Sequence, residues 1–151
     1  MALKTFEHVL ILADDVDKTK NFYVDILGLE VGYRPDFPFT GTWLNLKDNK
    51  KAASNHLAMR NKNTDQDYYI GKKEDVKSGS GAIDHVAFNA DDIEGMKSKL
   101  EKISMEYTHR KVPGFPLEQL FIDDPDSVKV ELHYATYDYE TYIRKNKMHK
   151  K

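Results

Sequence analysis

The chain contains an internal repeat, and this repeat constrains its fold more than any other feature of the sequence. The stretch "FEHVLILADDVDKTKNFY" begins at Phe6, and the similar stretch "IDHVAFNADDIEGMKSKL" begins at Ile83. His8 and His85 lie 77 residues apart. The same interval, without a gap, separates Ala13 from Ala90, Asp14 from Asp91, Asp15 from Asp92, and Val16 from Ile93. The repeat therefore predicts two similar modules, each occupying about half of the chain.

The composition narrows the classes of protein that these modules can form. A chain of 151 residues has room for one ordinary domain or two half-size modules. Cysteine is absent, which excludes disulfides, thiolate metal sites and a cysteine nucleophile. The 23 Lys and Arg residues against 25 Asp and Glu residues give a net charge of −2. The chain therefore lacks the excess of basic residues that is typical of nucleic-acid-binding proteins. No apolar run resembles a signal peptide or membrane span. We expect a soluble cytoplasmic protein without nucleic-acid or membrane partners.

The first repeat predicts a strand, a helix and three further strands. "EHVLILA" is an apolar run typical of a buried strand. "DDVDKTKNFYVDILG" has helical spacing, with Asp15 or Asp17 as the N-cap and Gly28 at the C-terminal end. "LEVGYR" alternates as a strand, and the loop "RPDFPFTG" follows. "TWLNL" and "NHLAMR" are predicted strands joined by the polar turn "KDNKKAAS".

The second repeat gives the same order of elements. "DHVAFNA" predicts a strand, "DDIEGMKSKLEKI" a helix, and "MEYTHR", "EQLFI" and "VKVELHY" three strands, with the turn "DDPDS" before the last. We therefore predict a first βαβββ module at 1–60, a linker at 61–82, a second module at 83–134 and a tail at 135–151. The predicted fold class is α+β, with the two repeated modules forming a curved mixed sheet around a central metal and substrate cavity.

Strand alternation places two histidines on corresponding faces of the two modules. Residues two apart in a strand share a face, so His8 lies opposite Val9 and Ile11, which suit the side covered by the helix. His85 lies opposite Val86 in the same way. We expect both histidines to point away from the helices.

The last strand of each module supplies two further candidates on the same face. "His-Leu" at 56–57 corresponds to "Glu-Leu" at 131–132. The candidate metal ligands are therefore His8, His56, His85 and Glu131. Three imidazoles and a carboxylate suit a divalent metal such as Zn, Fe, Mn, Co or Ni, and open positions on such an ion permit catalysis. His133 is a candidate neighbour of the ligands, whereas His109 and His149 are not assigned to the site.

Several other side chains are candidates for substrate binding. Trp43, Phe37 and Phe39 line an apolar pocket or belong to the ordinary core. Two roles are open for the arginines Arg34, Arg60 and Arg110. Each binds a substrate carboxylate or phosphate, or it lies at a solvated strand end. Gln119 reaches the cavity if its strand also turns Phe121 inward. Tyr68 and Tyr69, in the predicted linker, fold over the pocket or pack on a partner.

The chain resembles the vicinal oxygen chelate superfamily, which includes glyoxalase I, methylmalonyl-CoA epimerase, extradiol dioxygenases and fosfomycin-resistance proteins. The matching stretches are "HVLILADDVDKTKNFYVDILGLEV", "RPDFPFTGTWLNL", "DHVAFNADD" and "VPGFPLEQLFIDDPDSVKVEL". The resemblance implies paired βαβββ modules with His8, His85 and Glu131 as metal ligands, and a homodimer. Ser127 stands where the family's closing motif usually has glycine. At the position of His56, glyoxalase I has glutamate and the epimerase has glutamine.

The resemblance leaves three functions open. The first is a metal-dependent lyase or isomerase of the glyoxalase type, which acts through an enolate-type intermediate and uses Glu131 and His56 in catalysis. The second is an Fe(II) extradiol-type dioxygenase, since two histidines and one carboxylate leave a face of the ion open for substrate and O₂. The third is a non-catalytic protein that binds a drug or metabolite. A fosfomycin-inactivating transferase would require a thiol co-substrate and a pocket richer in positive charge.

Overall fold

The structure is a computed structural model, and it describes residues 7–60, 65–67, 79, 81, 83–112 and 116–135. The chain divides into two compact units, Met1–Ser78 and Gly79–Lys151. Several sequence predictions lie outside the described residues: most of the linker, Tyr68, Tyr69, and the tail from 136 with His149.

Each unit contains one main helix and four strands in the predicted order. The first unit comprises β1 (Val9–Ala13), α1 (Val16–Asn21) with a π-helical turn after it (Phe22–Ile26), β2 (Glu30–Val31), β3 (Gly41–Leu46) and β4 (Asn49–Met59). The second unit comprises β5 (Val86–Asn89), α2 (Ile93–Lys102), β6 (Thr108–Lys111), β7 (Leu117–Asp123) and β8 (Lys129–Ala135). The predicted α+β class and the two βαβββ modules are confirmed.

The strands of each unit form one four-stranded mixed sheet, and the two sheets have the same topology. Their strand orders are β1-β4-β3-β2 and β5-β8-β7-β6. The first and last strands of each module pair in parallel, and the other neighbours are antiparallel. Leu10 pairs with His56 in the first sheet, and Ala87 pairs with Glu131 in the second. Since Leu10 and Ala87 are also 77 residues apart, His56 and Glu131 occupy the same position in their sheets.

The first helix begins and ends where its sequence predicts. Asp15 is the N-cap, and its side-chain oxygen accepts a hydrogen bond of 3.0 Å from the amide of Lys18. Gly28 has a φ of 77°, a left-handed conformation that glycine adopts without strain, and its amide donates to the carbonyl of Val24. The apolar side of this segment is buried at Val16, Phe22 and Tyr23.

Asp92 caps the second helix, and its cap explains a glycine in the first turn. The carboxylate of Asp92 accepts from the amide of Gly95 at 3.0 Å. A Cβ atom on Gly95 would collide with that carboxylate, so the cap in this geometry leaves no room for a larger residue at position 95. Leu100, in the last turn of the helix, is fully buried.

In each sheet, the apolar residues that alternate along the strands are buried on one face. The fully or almost fully buried residues include Ile11, Ala13, Leu44 and Leu57 in the first unit and Leu120, Ile122, Val130 and Leu132 in the second. Among the described residues, no helix is long and apolar enough to cross a membrane.

The predicted boundaries of two strands were wrong. The second strand, expected over "LEVGYR", comprises only Glu30–Val31, and Tyr33 is 83% exposed. The turn expected over "KDNKKAAS" is confined to residues 47–48, because β4 already begins at Asn49. The ladder between β3 and β4 continues through two register shifts, so backbone pairing extends into this polar run.

The beginning of the predicted linker is docked on the first unit. Residues 65–67 are helical, and Gln66 is only 2% exposed. Its side-chain amide donates a hydrogen bond of 2.7 Å to the carbonyl of Met59, at the end of β4.

Candidate metal site

In the first unit, three aromatic rings form one stacked column beside the last strand. The ring centroids of His8 and His56 are 3.7 Å apart, and their planes differ by 18°. The rings of His56 and Trp43 are 3.9 Å apart and differ by 1°. Trp43 and His56 are also cross-strand partners between β3 and β4, so their side chains share a face. The imidazole of His56 is therefore covered on both faces, and its nitrogens lie at the edge of the stack.

The environment of His56 favours the neutral imidazole. Burial, the largest cause, and the charge of His8 together lower the pKa of His56 from 6.5 to about 4, although the charge of Glu7 partly opposes them. A histidine must be neutral to bind a metal ion. His56 thus presents the metal-binding form of its side chain near pH 7 without competition from a proton.

In the second unit, a histidine and a buried carboxylate meet on the corresponding face. His85 Nε2 lies 2.9 Å from Glu131 Oε2, and the Glu131 side chain is 7% exposed. The amide of Gln119 donates to Glu131 Oε1 at 2.8 Å, and His133 Nδ1 lies 3.6 Å from the same oxygen. The Phe121 ring packs edge-on against His85, with centroids 5.9 Å apart. Three polar side chains therefore contact Glu131, and Phe121 packs against one of them.

Two carboxylates beside the histidines were missed in the sequence. Glu7 Oε2 lies 2.5 Å from His8 Nδ1, and Asp84 Oδ2 lies 2.8 Å from His85 Nδ1. The hydrogen bonds from His85 and Lys129 hold the pKa of Asp84 below its usual value. The sequence contained a signal for these contacts. An acidic residue stands directly before each histidine, and Glu7 and Asp84 are 77 residues apart, as the two histidines are.

The donor types and the second-unit pair fit a divalent metal ion. Imidazole and carboxylate are both ligands of divalent first-row metals, and His85 Nε2 and Glu131 Oε2 lie 2.9 Å apart, at hydrogen-bond distance. Within the described ranges, no group of three or more His, Asp or Glu side chains is close enough to hold an ion. The described residues therefore bring the predicted ligands together as two pairs, His8 with His56 and His85 with Glu131.

Two of the three predicted substrate-binding arginines make contacts within the first unit. Arg34 donates to the carbonyl of Phe39 at 2.8 Å, and its guanidinium lies 5.1 Å and 5.0 Å from the ring centroids of Phe37 and Phe39. Burial lowers the pKa of Arg34, and the charge of Asp36 partly offsets this. These contacts give Arg34 a role in shaping the loop before β3.

Arg60 joins the ends of two parallel strands. Its guanidinium donates to the carbonyl of Leu12 at 2.9 Å and lies 3.1 Å from the carboxylate of Asp14. The amide of Arg60 also donates to the carbonyl of Ala13. These three contacts connect the end of β4 to the end of β1.

The third arginine, Arg110, lies beside the second-unit pair. Its guanidinium is 5.6 Å from the centroid of the Phe121 ring, which in turn contacts His85. Arg110 and Gln119 are cross-strand partners. Gln119 contacts Glu131 and Phe121 contacts His85, so both side chains lie on the same face of β7 as the pair.

The second unit also contains a cavity of about 550 Å³, whose lining shares Phe121 with the surroundings of His85. It is lined by Met105, Glu106, Tyr107, Thr108, Phe121, Ile122, Asp123 and Lys129. In the first unit, Phe37 lies 5.3 Å from Phe39 and 6.1 Å from Trp43 between ring centroids, and none of these three aromatic residues is fully buried. They form a half-buried aromatic cluster rather than part of the closed core.

Comparisons with known proteins agree with the fold and the repeated modules. Residues 5–132 match the family described as Glyoxalase/Bleomycin resistance protein/Dioxygenase superfamily. The chain is 26% identical to Glyoxylase I 4 of Arabidopsis thaliana over 133 residues, which cover 86% of this chain and 70% of that protein. It is 28% identical over 130 residues to a probable lactoylglutathione lyase of Synechocystis, with 83% and 91% covered.

A solved structure gives the same fold at lower identity. The lactoylglutathione lyase from Agrobacterium tumefaciens matches with a TM-score of 0.64 and 20% identity, covering 90% of this chain and 97% of that chain. Because the family match extends over most of the sequence, the chain belongs to the glyoxalase/bleomycin resistance protein/dioxygenase superfamily.

Proposed function

We propose that the protein is a metal-dependent lyase or isomerase of the glyoxalase type, acting on a small molecule. The observation that carries this proposal is the contact of 2.9 Å between His85 and Glu131. Glu131 occupies the position in its sheet that His56 occupies in the first unit. Relatives named lactoylglutathione lyase support the same reaction class. The residues proposed to bind the divalent ion, which is Zn, Fe, Mn, Co or Ni, are His8, His56, His85 and Glu131.

A divalent ion bound by these residues supplies a Lewis acid, which stabilises negative charge on a substrate oxygen. Gln119 orients Glu131 through a hydrogen bond to Oε1. The lowered pKa of His56 makes its imidazole a weak base at neutral pH, so we favour a ligand role for His56 over proton transfer. Proton transfer then falls to Glu131 or to His133, which lies beside Glu131 in the second unit.

The surroundings of the second-unit pair suggest what kind of substrate it takes. The cavity of about 550 Å³, which is lined by Phe121 but not by His85 or Glu131, has the size of an ordinary small-molecule pocket. Phe121 offers an apolar wall, and Arg110 beside it offers a positive charge. We propose a substrate that combines an apolar part with a carboxylate or another anionic group.

The first prediction concerns metal affinity. Glu131→Gln removes the anionic member of the proposed ligand set and should lower the affinity for Zn(II) by more than about tenfold, since losing even an outer partner typically costs that much. Isothermal titration calorimetry on parent and variant measures it. Glu118→Gln is the matched control, because Glu118 pairs with His109 on the other face of the same sheet. Equal zinc affinities for Glu131→Gln and Glu118→Gln would contradict the proposed ligand role.

The reaction class is tested with lactoylglutathione as the probe. The metal-loaded parent should exchange the carbon-bound hydrogen next to the thioester carbonyl for deuterium from D₂O, which NMR follows directly. Glu131→Gln should abolish the exchange and Glu118→Gln should retain it. If the parent binds the metal but does not exchange this hydrogen, the proposed metal site stands and lactoylglutathione is not a substrate.

A second candidate is an Fe(II) extradiol-type dioxygenase, and the stacking of His56 favours it. Both faces of that ring are covered by His8 and Trp43, as expected of a packed residue. Without His56, the proposed set reduces to two histidines and one carboxylate, which is typical of Fe(II) oxygenases. Oxygen uptake with catechols after anaerobic loading with Fe(II), lost in Glu131→Gln, would move the assignment to this reaction.

The resemblance to the family also leads us to propose a homodimer. Sedimentation velocity should then give about twice the chain mass of 17.5 kDa. A single species with the mass of one chain would contradict the dimer without affecting the proposed metal ligands.

A further inference from the structure

We propose that Glu7 and Asp84 are positioning residues that bind the Nδ1 proton of the histidine after them and so present its Nε2 to a metal ion. This inference rests on the proposed metal-binding function. It adds two acidic residues that do not themselves contact the ion.

The contacts that carry the inference are made at the same ring atom in both units. Glu7 reaches Nδ1 of His8 at 2.5 Å, and Asp84 reaches Nδ1 of His85 at 2.8 Å. In the second unit the other ring nitrogen, Nε2, faces Glu131 at 2.9 Å. One nitrogen of His85 is therefore occupied by an exposed carboxylate and the other faces the proposed ligand.

The geometry is not what a strand provides by default. Consecutive side chains in a strand project to opposite faces, so neighbours in sequence do not normally meet. Both acid–histidine pairs instead lie immediately before a strand, since β1 begins at Val9 and β5 at Val86. Both the acid–histidine contact and its position just before the first residue of a strand are therefore the same in the two repeats.

In the second unit the carboxylate is itself anchored. The ammonium of Lys129, on β8, lies 3.0 Å and 3.1 Å from the two oxygens of Asp84. Lys129 is two residues before Glu131 on the same strand. A chain of contacts therefore runs from Lys129 through Asp84 and His85 to Glu131, and it ties the histidine to the strand that carries the carboxylate ligand.

The chemical consequence is a fixed tautomer. The hydrogen bond made by one ring nitrogen of histidine decides which nitrogen is free to bind a metal. A carboxylate acceptor on Nδ1–H fixes the ring orientation and raises the basicity of Nε2, and loss of such a partner typically lowers metal affinity 10–100-fold.

The tautomer is measured in the metal-free protein by nitrogen NMR of ¹⁵N-histidine at about pH 8, where ordinary histidines are neutral. His8 should carry its proton on Nδ1, and His85 should do so in a Glu131→Ala background, which removes the competing acceptor 2.9 Å from Nε2 and is used for all the His85 comparisons. Asp84→Ala should shift His85 towards the Nε2-protonated form and leave His8 unchanged, and Glu7→Ala should do the reverse. Asp91→Ala is the control, because it removes an exposed carboxylate from the same unit away from the histidines.

Zinc affinity provides the second measurement. Asp84→Ala should lower it about 10–100-fold, and Lys129→Met should lower it by less, since Asp84 remains. Asp84→Glu should restore both tautomer and affinity, because Glu7 makes the same contact in the first unit. If Asp84→Ala and Asp91→Ala give the same tautomer and the same affinity, Asp84 is not a positioning residue.

The two proposals fail in different ways. A parent protein that binds no zinc at these residues removes the proposed function. The tautomer of His85 in Asp84→Ala still decides whether Asp84 orients the ring. Normal zinc binding with an unchanged tautomer keeps the metal site and removes this inference.

Discussion

Burial between two aromatic rings keeps the imidazole of His56 neutral down to unusually low pH, with a pKa of about 4 in the folded chain against 6.5 for an ordinary histidine. As the pH falls below about 6.5, the unfolded chain binds this proton and the folded chain does not. His56 therefore contributes stability above about pH 6.5 that is lost progressively as the pH falls towards 4.

Trp43 gives a direct readout of this residue-scale effect. It is the single tryptophan of the chain and stacks on His56. Denaturant unfolding followed by Trp43 fluorescence should show stability falling between about pH 6.5 and pH 4. His56→Phe retains a ring in the stack but removes the titrating group, so its stability should fall less over this interval. An identical pH dependence in parent and His56→Phe would show that His56 is not responsible.

The turn between β7 and β8 contains a residue in a strained backbone conformation. Ser127 has a φ of 64°, a left-handed conformation that costs a residue with a Cβ about 1–2 kcal/mol. The turn is otherwise well bonded, since Asp124 Oδ1 accepts from the amides of Asp126 and Val128 at 2.8 Å and 2.9 Å. The strain belongs to the one position where the family's closing motif usually has glycine.

Ser127→Gly should therefore stabilise the protein. The relief of strain is partly offset by the larger conformational entropy of glycine in the unfolded chain, which costs about 0.5–1 kcal/mol, so we expect a net gain of about 0.5–1 kcal/mol. Thermal and urea unfolding measure it. Ser127→Val should act in the opposite direction, because a β-branched residue tolerates positive φ poorly. A Ser127→Gly variant less stable than the parent would contradict this account of the turn.

At the level of elements, hydrophobic periodicity predicted the order of helices and strands because it reports which face each element buries. It could not predict that β2 stops at Val31 or that β4 begins at Asn49, since those limits depend on hydrogen bonds to neighbouring strands. The face of His85 followed from alternation alone. Its partner Asp84 did not, because that contact depends on side-chain conformations just outside the strand.

At the level of the whole molecule, the repeat makes each unit a reference for the other. Both sheets have the same order of strands, so a residue in one unit can be compared with its equivalent in the other. Trp43 and Phe121 are such a pair, since each is the cross-strand partner of a proposed ligand, His56 or Glu131. The repeat predicted this equivalence, but the sequence could not show that one ring stacks face to face and the other packs edge-on.

The same comparison identifies a weak point in the core of the first unit. Asn55 pairs with Val9 and Val130 pairs with Val86, so Asn55 and Val130 occupy equivalent positions. Both are 0% exposed. In the described part of the chain, neither side-chain amide atom of Asn55 has a hydrogen-bond partner. An unsatisfied buried polar group costs about 1–3 kcal/mol, and the second unit avoids this cost with valine.

Asn55→Val should accordingly raise the free energy of unfolding by about 1–3 kcal/mol, because it replaces an unsatisfied amide with an apolar side chain of similar size. The reciprocal Val130→Asn should lower it, since it would bury an amide where the second unit has none. Urea unfolding of parent and both variants measures the two effects, and zinc titration checks that the proposed metal site is unchanged. If Asn55→Val is less stable than the parent, the amide of Asn55 makes an interaction that stabilises the first unit, and the two cores are not equivalent at this position.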